Sequence, residues 1–76
     1  MLKVTLESNN TRIESMAELL NDTTDNFTVW FHNNALYSFF HLKSLQELMA
    51  LSKKLERLDR VKFKYTKIQK VKSSWL

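Results

Sequence analysis

Residues 2–7, Leu-Lys-Val-Thr-Leu-Glu, alternate without a break: Leu2, Val4 and Leu6 on one side, Lys3, Thr5 and Glu7 on the other. A period of two predicts a half-buried β-strand. The next apolar positions, Ile13, Met16, Ala17 and Leu20, recur at i, i+3, i+4 and i+7, the stripe of an amphipathic helix. Thr11 with Glu14 three positions on reads as a capping box at its start. The polar run from Asn21 to Asn26 predicts its end.

Two β-rich runs then flank Asn33-Asn34, which suits a two-residue type I′ turn with both central residues at positive φ. That turn sets Phe27 opposite Phe40, Trp30 opposite Tyr37 and His32 opposite Ala35. One face collects Phe27, Val29, Phe31, Leu36, Phe40 and Leu42, a core surface. The other collects Thr28, Trp30, His32, Tyr37, Phe39 and His41. A slip of one residue would exchange the two sets, so the turn decides which rings are buried.

Ser44 and Glu47 form a second capping box. Leu45, Leu48, Met49, Ser52, Leu55 and Leu58 predict a helix of about four turns, with Lys53, Lys54 and Arg57 on its wet side. Val61, Phe63 and Tyr65 alternate with Lys62 and Lys64 in a last strand. Beyond it the phase breaks at Ile68, Val71 and Trp75, which either a bulge or a short helical turn would explain. The order β-α-β-β-α-β predicts an α+β, ferredoxin-like fold: a four-stranded antiparallel sheet, strand order 4-1-3-2, with two helices on one face. The expectation is a single small domain over residues 1–76.

Composition narrows what such a domain can do. Glycine, proline and cysteine are all absent from the 76 residues. Glycine-dependent phosphate loops and nucleophile elbows are therefore excluded, and so are disulfides and thiolate metal sites. Left-handed turn positions fall to Asn. No apolar run approaches the ~20 residues of a membrane span. With no secretory leader pattern either, a cytoplasmic protein is expected.

Charge is unevenly divided. Residues 1–42 hold two basic against five acidic side chains, whereas residues 43–76 hold ten against three. That asymmetry points to an anionic partner for the second half.

On the uncovered sheet face, Trp30, Tyr37 and Phe39 would stand beside Lys3, Lys62 and Lys64. Rings next to lysines on a sheet can stack bases and hold phosphates. The same rings are the residue types of protein-interface hot spots. Three occupants are consistent with the pattern: a protein partner or second copy, a nucleic acid, or the chain's own Ile68–Leu76 segment with Trp75 folded back. Lys67, Lys70 and Lys72 extend the basic stripe of Lys62 and Lys64. His32 and His41 would lie on the order of 20 Å apart along the hairpin, too far to share a metal. No nucleophile, base and orienting group can be named as a set. A non-catalytic protein without cofactor or metal is expected.

Tyr37-Ser38-Phe39-Phe40 resembles part of the third-strand signature of RNA-recognition motifs, without that signature's basic-Gly start. The stretch 39–65, Phe-Phe-His-Leu-Lys-Ser-Leu-Gln-Glu-Leu through Lys-Phe-Lys-Tyr, resembles small phage-encoded accessory proteins, anti-CRISPR and other anti-defence inhibitors among them. That resemblance implies a stoichiometric inhibitor or modulator of a host nucleic-acid-processing complex, working in the host cytoplasm. The contacts would come from Trp30, Tyr37 and Phe39 together with Lys53, Lys54, Arg57, Lys62, Lys64, Lys67, Lys70 and Lys72. The alternative is an RNA- or single-stranded-DNA-binding module using the same surface. A homodimer through the open sheet face is a further expectation.

Overall fold

A computed structural model describes residues 1–71. Its elements run β1 (Leu2–Asn9), α1 (Ile13–Asn21), β2 (Phe27–His32), β3 (Ala35–Leu42), α2 (Leu45–Glu56) and β4 (Lys62–Lys70). The strands form one antiparallel sheet in the order β2-β3-β1-β4. This is the expected ferredoxin-like arrangement. Leu2, Val4 and Leu6 of β1 and Leu36, Phe40 and Leu42 of β3 make one cluster with Met16, Leu20, Leu48, Leu51 and Leu55 of the helices. Both helices therefore cover the same sheet face, and among the described residues no element packs on the other face.

The hairpin has the register that its turn dictates. Asn33 and Asn34 take φ of 50° and 65°, and Phe27 pairs with Phe40, Trp30 with Tyr37 and His32 with Ala35. Asn10, at φ 56°, turns the chain out of β1, and its side chain donates to the Arg60 carbonyl at 2.9 Å. In a chain without glycine, asparagine supplies the left-handed conformation at three of the four positive-φ sites among the described residues, Arg60 being the fourth.

The phase break in the last strand is a bulge. β1 and β4 pair as Leu6 with Tyr65 and then as Thr5 with Lys67, so Thr66 is the extra residue. Its hydroxyl donates to the Thr5 carbonyl at 3.3 Å. One inserted residue restores alternation on the far side, so Ile68 returns to the helix side of the sheet while Lys67 stays on the open side.

Three expectations are corrected. Thr11 does not cap α1: the helix starts one residue later, after Arg12, and the Thr11 hydroxyl donates back to the Asn9 carbonyl at 3.3 Å. At α2 the capping residue is Ser44, whose oxygen accepts the Glu47 N–H at 3.4 Å, while the Glu47 carboxylate takes the Lys43 N–H at 2.7 Å.

The second correction is the buried stripe of α2, which is Leu48, Leu51 and Leu55; Leu45 and Met49 are 63% and 61% exposed. Two leucine-rich stripes lie side by side on this helix, and its seating on the sheet selects the one containing Leu51. The third is Phe31, which is 55% exposed and not core. The nine residues of α1 span roughly 14 Å, whereas the eight of β3 span about 26 Å. The helix covers Phe27 and Val29 near one end of the hairpin and leaves Phe31 near its turn uncovered.

Candidate binding surface on the open sheet face

Pairing across the four strands sorts the open face into rows. One row runs Trp30, Tyr37, Glu7, Lys64, and the next runs Thr28, Phe39, Thr5, Lys67. A third runs His41, Lys3, Gln69. The rings stand over β2 and β3, Lys64 and Lys67 stand over β4, and the side chains of β1, Lys3 among them, lie between.

The rings hold one another in place. Trp30 and Tyr37 stack with centroids 5.8 Å apart and planes at 19°. Phe39 meets His41 edge-on at 5.3 Å. The first pair spans β2 and β3 and the second lies along β3, and both pre-order a surface that would otherwise lose side-chain entropy on binding. Trp30 remains 38% exposed, and Tyr37, Phe39 and His41 are half-buried. The Nδ1 of His41 is buried and has no partner among the described residues.

Glu7 ties the two halves together. The Tyr37 hydroxyl donates to its Oε1 at 2.8 Å, and Lys64 Nζ lies 3.5 Å from its Oε2. The alternation of β1 had put Glu7 on this face, but sequence reasoning gave it no role. The signal that identifies it is its register position, directly between Tyr37 and Lys64. The pair with Lys64 is partly exposed, so it contributes at most about 1 kcal/mol. Its main effect is to place a carboxylate in the middle of the face.

The other residues expected to make contacts are dispersed by the fold. Trp30, Tyr37, Phe39, Lys62, Lys64 and Lys67 come together on the open face. Lys53, Lys54 and Arg57 are exposed on α2 and at its end, on the helical side of the sheet. Lys70 pairs with Leu2 and rims a groove of about 430 Å³ beside Met1, Leu45 and Ile68. Lys72 and Trp75 lie outside the described residues. No group of three or more His, Asp or Glu able to hold a metal occurs among the described residues, and none of their helices is long and apolar enough to cross a membrane.

Two tyrosines have phenols pushed above the ordinary value. For Tyr37 the largest cause is its hydrogen bond to the Glu7 carboxylate, followed by desolvation and the Glu7 charge. For Tyr65 it is burial, opposed by the hydrogen bond with Ser52 and assisted by the Glu56 charge. A phenol whose folded pKa is raised contributes stability that is complete below the unfolded value of about 10. That contribution is lost as pH rises through the folded pKa. Phenolate absorbance should therefore show both groups titrating late in the folded protein. Glu7→Gln should bring Tyr37 back toward the ordinary value and leave Tyr65 unmoved; equal movement of both would refute the Glu7 assignment.

Comparison with protein-family models, curated proteins and solved structures gives no match for this chain.

Proposed function

We propose that this chain is a non-catalytic binding protein whose open sheet face docks onto a macromolecular partner. The partner is a host nucleic-acid-processing complex, and the chain inhibits or modulates it, as the resemblance to phage-encoded accessory proteins implies. A CRISPR effector is the specific version of that reading. The observation that carries a protein-type contact is Glu7. A polyanion crossing from the rings on β3 to the lysines on β4 would pass within reach of a carboxylate held in mid-face by Tyr37 and Lys64. A folded protein surface can instead meet it with its own N–H groups or a guanidinium, and Trp and Tyr are the usual anchors of such contacts.

The second reading, direct binding of single-stranded RNA or DNA, is favoured by the rows themselves. Rings over two strands and four lysines, Lys3, Lys62, Lys64 and Lys67, against one carboxylate provide stacking platforms beside a basic strip. Titrating the protein with short labelled single- and double-stranded oligonucleotides at two salt concentrations separates the readings. Absence of binding at low salt is expected on the protein-partner reading. Micromolar or tighter binding that weakens steeply with salt, and that Phe39→Ala abolishes, would establish the nucleic-acid reading instead. Affinity capture from host extract, with Phe39→Ala as the control bait, then identifies the protein partner.

A further inference from the structure

The two edges of the sheet are chemically opposite. β4, at one edge, carries Lys62, Lys64, Lys67 and Lys70 among its nine residues. Lysines along an edge oppose the addition of another strand. β2, at the other edge, reads Phe-Thr-Val-Trp-Phe-His, with no formal charge, no proline and no bulge in its pairing.

The hairpin register identifies the unpaired backbone groups. In a two-residue hairpin the residues flanking the turn, here His32 and Ala35, exchange hydrogen bonds. Alternation then directs the N–H and C=O of Thr28, Trp30 and His32 toward β3. The Asn26 carbonyl, which accepts the His41 N–H at 3.2 Å, follows the same phase. The amides and carbonyls of Phe27, Val29 and Phe31 point outward. On either side of that edge stand two exposed rings, Trp30 at 38% on the open face and Phe31 at 55% on the helix side.

We propose that β2 is the contact between two copies of this chain, paired antiparallel about a two-fold axis at Val29. In that register Val29 faces its own counterpart, and Phe27 and Phe31 each face the other residue of the second copy. The three pairs exchange about six N–H···O=C bonds and satisfy every outward group of the strand. The Phe31 ring leaves water for the flank of Phe27 and Val29 in the second copy, and Trp30 comes opposite Thr28. No like charges meet, because the strand has none.

A second copy is preferred to an unrelated strand for two reasons. The register is self-complementary, an exposed ring meeting a half-buried one at both ends. The assembly also closes: pairing the two neutral edges makes an eight-stranded sheet whose remaining edges are both lysine-bearing β4 strands, so growth stops at the dimer. This pairing does not depend on what the open face binds.

Sedimentation over a range of concentrations, with amide exchange read residue by residue, tests the proposal. Twice the chain mass is expected for the native chain. Protection at Phe27, Val29 and Phe31 should rise with concentration, while Thr28, Trp30 and His32 are protected throughout. Phe31→Lys, at an exposed position, should give a folded monomer; Lys67→Glu, on the other edge, should leave the dimer intact. A native chain that stays monomeric at every concentration would overturn it. So would a dimer indifferent to Phe31→Lys, which another face, or the edge of a different element, would then have to hold.

Discussion

Phe40→Ala is expected to leave the chain largely unfolded at room temperature, while Phe39→Ala, one position earlier, leaves it folded. Phe40 is fully buried on a central strand, paired with Val4 on one side and Phe27 on the other. Truncating a buried phenylalanine removes its transfer energy and leaves a cavity, together about 3–5 kcal/mol. A 76-residue domain has little to spare; a core of this size rarely supplies more than about 3–5 kcal/mol in total, and no disulfide is present to offset the loss. Phe39 points the other way, against Thr5, Thr28 and His41, where neither α1 nor α2 packs. Circular dichroism and urea melts of the two variants check the contrast. Two variants of equal stability would mean that the hairpin register is wrong by one residue.

That contrast is legible in the sequence because it rests on local chemistry. Asn33-Asn34 fixes the turn, the turn fixes the register, and the register assigns each ring to a face. Strand order followed from chain connectivity in the same way. The features that were not legible depend on how elements seat against each other. The sequence of α2 offers two adjacent leucine stripes, and only contact with the sheet chooses Leu51 over Leu45 and Met49. Phe31 has the right phase for the core, but the short α1 does not reach it. Thr11 has the right spacing for a cap, yet its hydroxyl finds the Asn9 carbonyl first. On the open face, alternation alone places Trp30, Tyr37, Phe39, Lys62 and Lys64, whereas Lys67 arrives there only through the bulge at Thr66, and Lys70 falls on the helix side opposite Leu2. Glu7 reads in the sequence as one polar residue of β1, and its role follows from the register that sets Tyr37 of β3 and Lys64 of β4 on either side of it.

The largest expected effect on binding belongs to Tyr37, because it joins Trp30, His32 and Glu7 on that face. Its ring stacks on Trp30, its edge meets His32 at 6.3 Å, and its hydroxyl engages Glu7. Tyr37→Ala is expected to weaken capture of the partner by at least about thirtyfold, the loss typical of a central aromatic hot spot. Tyr37→Phe keeps the stack and removes only the hydroxyl; it should cost far less and leave Trp30 fluorescence unchanged. The two variants together separate the ring from its tether. If Phe and Ala at this position are equally damaging, the Glu7 hydrogen bond, not the ring, organises the surface. Salt then distinguishes the partner class: the contribution of a stacked ring is nearly insensitive to ionic strength, whereas contacts of Lys62, Lys64 and Lys67 with phosphates weaken with it. A Tyr37→Ala penalty that stays constant from low to high salt, on a complex whose overall affinity changes little, marks a protein surface against the rings. A complex that dissolves in moderate salt with Tyr37 intact places a polyanion along β4.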